Sequence, residues 1–235
     1  MDRRDQIDKT GAIALTVFAI VLGFNQVVIK VSNGGFQPVF MAGLRSAFAF
    51  LVLLAWMRYR GVALGLRRDL LGSGVLLGAL FTFEFICLFL ALDLTTVSRA
   101  SIIFYSMPVW LTLAAHFVLP GERMRPSRAI GLILAMAGVI WVLAKPQESA
   151  QASLTGDFLA LGAALGWAGI ALVLRLNRIS NERSEVQLLW QLGVSVPMLF
   201  ALAPLFGPLL RDPQAIHWAG LAFQVFAVAS FGYLV

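Results

Sequence analysis

Three polar side chains stand inside long apolar runs, where an unpaired amide or charge is costly: Asn25, Arg45 and Glu84. An ionisable group in hydrocarbon faces a cavity or pairs with an opposite charge. Arg45 and Glu84 are therefore read as mutual partners, with gating or solute binding as one role and a pair that only fixes helix packing as the other. Glu84 is the best placed candidate to carry a proton. At about 1.5 Å rise per residue, Asn25 and Glu84 lie roughly 21 Å from one membrane boundary and Arg45 roughly 9 Å from the opposite one, which puts all three in one layer of a core about 30 Å thick. Lys30 follows Asn25 by five residues and joins this group. Pro108, in the middle of another apolar run, frees a backbone carbonyl, so it is expected to kink its helix and turn polar backbone toward a cavity. Tyr105 lies one turn earlier, and with Trp167 it is a candidate for an aromatic wall; packing or lipid contact is the competing reading for any one aromatic in a chain with 18 Phe and 6 Trp.

Familiar enzyme chemistry is not written here. The chain contains no HExxH, GxSxG, Walker or GxGxxG motif. Cys87 is the single cysteine and reads as a small core residue, and His116 and His217 are expected near opposite membrane faces, too far apart to share a metal. Neither a cofactor nor a metal site is expected.

The elements that must position these residues are apolar runs at 11–31, 39–57, 70–91, 96–119, 128–144, 157–176, 186–209 and 217–235. Each is long enough to cross a bilayer as a helix, the form in which a chain satisfies its own backbone hydrogen bonds away from water. Gly74/Gly78 and Gly162/Gly166 lie inside spans and read as close helix contacts. Basic residues set the orientation. Alternate connections hold Arg3, Arg4 and Lys9; Arg58, Arg60, Arg67 and Arg68; Arg123, Arg125 and Arg128; and Arg175, Arg178 and Arg183, whereas the other set holds Lys145 and Arg211. A cytoplasmic N-terminus follows, with 32–38, 92–95, 145–156 and 210–216 outside. The net charge of +6 is thereby a topology signal; with no soluble domain to carry a groove-binding element, a nucleic-acid partner is not expected. Arg3 and Arg4 are followed by Asp5 and no cleavage site closes the first span, so it reads as a retained helix.

An internal repeat is suggested at an offset of 145. Gly11 meets Gly156, Ala19 meets Ala164, Leu22-Gly23 meets Trp167-Ala168, and Val28-Ile29-Lys30 meets Val173-Leu174-Arg175. Five spans separate the copies, so they have opposite orientation, and a site near the midplane between inverted repeats is a transporter arrangement.

Gly23-Phe24-Asn25 with Lys30 downstream, Ala100 through Tyr105 with Pro108 and then Gly121-Glu122-Arg123, and Gly131 with Gly138 together resemble the EamA-type repeat of the drug/metabolite transporter superfamily. The likeness is strong over 11–144 and weaker over 157–235. Leu22 stands where the family usually has Trp, although Trp167 keeps it in the second copy. The resemblance implies an all-α integral membrane bundle of about eight helices: a tail at 1–10, a first five-helix repeat at 11–144 and an incomplete second repeat of three helices at 157–235. It also implies a transporter of small organic metabolites, amino acids among them, in the cell inner (plasma) membrane. The expected partners are a small organic solute and the lipid bilayer, and a homodimer is compatible with the chain. The final run lacks a polar flank, so the chain reads as a C-terminally shortened ten-helix protein. The readings carried forward are a secondary transporter, most plainly an exporter, working by alternating access; a membrane-embedded lipid-modifying enzyme; and a non-transporting fragment.

Overall fold

The computed structural model describes residues 9–65, 67–119, 126–144 and 153–228. The N-terminal tail, Gly121-Glu122-Arg123, the 145–152 stretch and the last seven residues of the eighth run lie outside the described residues. Helices account for the architecture of the described residues: α1 (Lys9–Ser32), α2 (Pro38–Tyr59), α3 (Leu71–Leu94, led in by a 3-10 turn at Arg68–Leu70), α4 (Val97–Phe104), α5 (Met107–Val118), α6 (Pro126–Ala144), α7 (Leu154–Leu176), α8 (Ser184–Leu202) and α9 (Ala215–Phe223, continued by a wider turn at Gln224–Val228). Five segments are long and apolar enough to cross a membrane, with α4 and α5 counted together, and three shorter apolar helices bring the number among the described residues to eight. The chain is a multi-pass membrane protein.

The fourth run is broken, and the break lies before the proline. Pro108 has no N–H to give the carbonyl of Phe104, and proline is tolerated only in the first turn of a helix. The chain accordingly ends α4 at Phe104 and restarts α5 at Met107. Ser106 seals the gap: its hydroxyl donates to the Ile103 carbonyl at 2.6 Å and accepts from Trp110 Nε1 at 3.0 Å.

Side-chain contacts define two faces of the bundle. The near face carries the α2–α3 and α7–α8 connections, joined by Arg67 and Glu182 at 3.6 Å. The far face carries the ends of α1 and α3 and the starts of α2, α4, α7 and α9. There Gln37 donates its backbone N–H to Leu209 and Arg211 donates its own to Gly35, which makes an antiparallel bridge between the α1–α2 and α8–α9 connections.

Helix α3 is the central element, packed on both α7 and α8. Apolar helices gain little from the hydrophobic effect inside lipid, so close approach depends on small residues. Both glycine pairs named above supply it. A Cβ on Gly74 would strike the Trp190 indole and one on Gly78 would strike Val194, both on α8; on α7, a Cβ on Gly162 would come within 3.2 Å of Cys87 Sγ. In the far half one continuous core joins Ile29, Phe36, Met41, Phe89, Leu92, Ile103, Ala160 and Leu221. The near half holds two separate clusters, one between α2 and α8 around Leu53, Met57 and Val186 and one between α3 and α7 around Leu70, Leu77 and Ile179.

Candidate functional site

A cavity of about 400 Å³ lies among α1, α2, α3, α7, α8 and the α4–α5 break. Helical periodicity explains its walls. Phe18, Leu22 and Asn25 share one face of α1, Phe81, Glu84, Phe85 and Leu88 one face of α3, and Leu188, Gln191 and Leu192 one face of α8, each set at spacings of three, four or seven. Arg45, Ser46 and Ala49 close it from α2, Phe104, Tyr105 and Met107 from the break, and Trp167 and Ile170 from α7. Phe18 lies two turns nearer the near face than Asn25, and Leu188 belongs to the first turns of α8, so the cavity extends toward that face.

Its chemistry is mixed. Phe81 and Phe85 stack with ring centres 4.1 Å apart, and Phe104 and Tyr105 approach to 5.4 Å. Against these apolar walls stand three buried polar atoms with no hydrogen-bond partner among the described residues: Asn25 Oδ1, Gln26 Oε1 and Ser46 Oγ. A buried polar atom without a partner costs about 1–3 kcal/mol, so atoms aimed into a cavity are groups that water or a solute must satisfy. Arg45 places its guanidinium 4.7 Å from the centre of the Phe85 ring, a cation–π contact. Glu84, 4 % exposed, faces the same space, and the two charges attract each other across it. Among the described residues no direct ion pair or hydrogen bond joins them. Gly166 of α7 backs Glu84: a Cβ there would lie 3.2 Å from both Cα and Cβ of the glutamate.

Of the residues singled out from sequence, the cavity brings together Asn25, Arg45, Glu84, Tyr105 and Trp167. Lys30 and Pro108 lie elsewhere. Lys30 reaches the far face, where its ammonium donates to the carbonyls of Asp93 at 3.1 Å and Thr95 at 3.0 Å and so caps the end of α3. Pro108 lines a separate groove against α6 with Val109, Thr112 and Gly131. Sequence reasoning did not single out Gln26, Ser46 or Gln191; the available signal was their position beside, or on the same helical face as, residues already chosen. It also left Asp157 aside. That carboxylate is fully buried at the start of α7 and receives Arg99 Nη2 at 2.5 Å, Arg99 Nε at 3.1 and 3.2 Å and the Thr95 hydroxyl at 2.9 Å.

Comparison with known proteins carries the architecture further. The chain is similar to a probable amino-acid metabolite efflux pump of Escherichia coli (strain K12), at 29% identity over 161 residues covering 68% of this chain and 51% of that protein. It is 29% identical over 138 residues to the aromatic amino acid exporter YddG of Ancylobacter novellus, covering 58% of this chain and 47% of the exporter. The uncharacterized transporter YoaV of Bacillus subtilis (strain 168) is 24% identical over 198 residues, 83% of this chain and 66% of its own length. The chain thus spans about half to two thirds of the length of these relatives. One crystal structure superposes on 93% of this chain and 78% of its own with a TM-score of 0.63 at 22% identity, a likeness of fold. The sequence profile of the EamA-like transporter family matches residues 9–144, more than half of the chain and the part that supplies four of the six cavity walls. The chain belongs to the EamA-like transporter family.

Proposed function

We propose that this protein moves small organic metabolites across the plasma membrane as a secondary transporter, in the export direction, by alternating access. The observation that carries this reading is the cavity's pairing of opposite charges with unpartnered polar atoms. Arg45 supplies a cation, Glu84 an anion, and Asn25, Gln26 and Ser46 supply hydrogen-bonding atoms that the protein itself leaves unused. A zwitterionic solute with an apolar body fits that chemistry: a carboxylate toward Arg45, an ammonium toward Glu84, and a side chain among Phe81, Phe104, Tyr105 and Trp167. The names of the efflux pump and the aromatic amino acid exporter support amino acids as the solutes to try first.

The inverted-repeat arrangement belongs to the same proposal. Lys30 stands at the far face, whereas its counterpart at the 145-residue offset, Arg175, occupies the last turn of α7 toward the near face. Two copies of opposite direction, 11–144 and 157–235, would set the cavity between them, the arrangement in which many alternating-access transporters hold their solute. The near face is assigned to the cytoplasm from the excess of Arg and Lys in its connections.

Purified protein in proteoliposomes, loaded with radiolabelled amino acids one at a time, tests the reading. Solute-dependent efflux that a second amino acid inhibits is the expected result. Flux no greater than in empty liposomes for every zwitterion tried overturns it.

A further inference from the structure

The two mouths of the cavity are closed unequally. Toward the far face, the continuous core around Phe36, Phe89, Ile103 and Ala160 lies beyond the cavity, and two ion pairs stand at its rim. Arg99 of α4 grips Asp157 of α7, with 13 % and 0 % of the two side chains exposed. Arg211, in the α8–α9 connection, places Nη1 2.9 and 3.0 Å from the two carboxylate oxygens of Asp93 at the end of α3, and donates also to the Asn33 carbonyl at 3.3 Å. Each pair therefore ties an element before residue 144 to one after residue 153. Toward the near face Arg67 and Glu182 approach to 3.6 Å across the α2–α3 and α7–α8 connections, with 63 % of the Arg67 side chain exposed. Such an exposed, single-contact pair holds little. The apolar contacts at that end fall into two smaller clusters, joined at their margins by Phe81 and Trp190, and the cavity walls run on toward this face through Phe18 and Leu188.

We propose that Arg99–Asp157 and Arg211–Asp93 are the latches of the far mouth: they hold the cavity shut toward that face and must part for it to open there. The inference rests on the reading of the cavity as a solute site. Ion pairs suit a latch better than more apolar packing would. Their attraction is offset by the hydration each charge regains on separation, so a closed and an open arrangement lie close in free energy. Rigid helices connect latch to cavity. Asp157 and Trp167 are ten residues apart on α7, about 15 Å along its axis, and Arg99 precedes Tyr105 by six residues, about 9 Å. A solute that displaces Trp167 or Tyr105 thus moves the helices that bear the latch on α4 and α7.

A cysteine reporter in the cavity tests this without any solute. Gln191→Cys, at a half-buried position of the cavity wall, in a Cys87→Ser background is exposed to a membrane-impermeant maleimide from each side in turn, in intact cells and in inverted vesicles. The parent is expected to be labelled from the near face only. Asp157→Asn and Arg211→Ala should each raise labelling from the far face by about tenfold, the size of a typical coupling between two states. The charge swap Asp93→Arg with Arg211→Asp should return it to the parent rate, which separates a latch from general damage to the fold. Single variants labelled from the far face no faster than the parent, or a swap as leaky as the single variants, overturn the proposal. Absent flux in proteoliposomes with these labelling differences intact strikes the transport reading alone.

Discussion

Gly166 of α7 lies directly on the backbone of Glu84 in α3; a methyl group added at Gly166 would come within 3.2 Å of the glutamate's Cα and Cβ and of the Phe83 ring. The cavity's one carboxyl among the described residues is thus held where two helix backbones come close together. Both backbones must keep their separation for the carboxylate to point where it does.

Gly166→Val should therefore push α7 away from α3 and destabilise the bundle by about 1–3 kcal/mol, the cost of overfilling a packed contact. Gly169→Ala is the control, because its Cβ would meet Leu80 at an ordinary 3.5 Å. Thermal unfolding in detergent should show a lower melting temperature for the first and little change for the second. Equal melting temperatures for both would remove the close contact from the account.

Arg45 and Glu84 attract each other across a shared space, so each single neutralisation leaves an uncompensated charge. Arg45→Met and Glu84→Gln are each expected to cost about 3–5 kcal/mol, and the double variant less than the sum of the two. A double-mutant cycle on unfolding free energy checks this. Strict additivity would mean that the two charges are satisfied independently.

Arg45 also lies against Phe85, a contact that a lysine cannot reproduce with a planar, weakly hydrated group. Arg45→Lys should fold normally yet bind the transported solute more weakly, by about 1–2 kcal/mol. Isothermal titration of the purified variant measures it; wild-type affinity would show that charge alone suffices at this position.

If Glu84 carries a proton during the cycle, Glu84→Gln should abolish flux driven by a pH gradient, whereas exchange of internal for external solute should continue at a higher KM because the ammonium has lost its charged partner. Unchanged pH-driven flux in that variant would exclude the role.

The assignment of the near face to the cytoplasm predicts a labelling pattern. In the background lacking Cys87, Ser180→Cys should react with an impermeant thiol reagent only in inverted vesicles and Leu210→Cys only in intact cells. Both side chains are exposed, so access is decided by the membrane alone. The reverse pattern would invert the topology.

Much of this architecture was legible in the residue order, for reasons that vary from element to element. Run length and hydropathy locate the membrane helices because hydrocarbon leaves the backbone no alternative. The break in the fourth run was signalled by Pro108, whose missing N–H ends α4 at Phe104; the part of Ser106, which spans the gap with its hydroxyl, was not signalled. Asn25, Arg45 and Glu84 were legible as polar groups in apolar surroundings. Lys30 was grouped with them by depth, yet five residues along a helix turn a side chain about 140° and raise it about 7.5 Å, which carries it out of the cavity to the end of α3. Gln26, Ser46 and Gln191 escaped notice because uncharged polar residues barely disturb an apolar run. Asp157 escaped because it stands at the edge of one, and its partner Arg99 is 58 residues away in sequence.

The bridge between the α1–α2 and α8–α9 connections is made by main-chain atoms, with Gln37 donating to Leu209 and Arg211 to Gly35. Peptide groups are the same in every residue, so these two bonds ask nothing of side-chain chemistry, except that Gly35 must stay bare because a Cβ there would strike the His217 ring. Sequence drift at the exposed positions of these connections, Leu209 and Leu210 among them, can change what the far surface looks like to a solute, a lipid or another protein while the register between the two connections persists. Two slowly exchanging amide protons, those of Gln37 and Arg211, are its signature in an otherwise accessible rim.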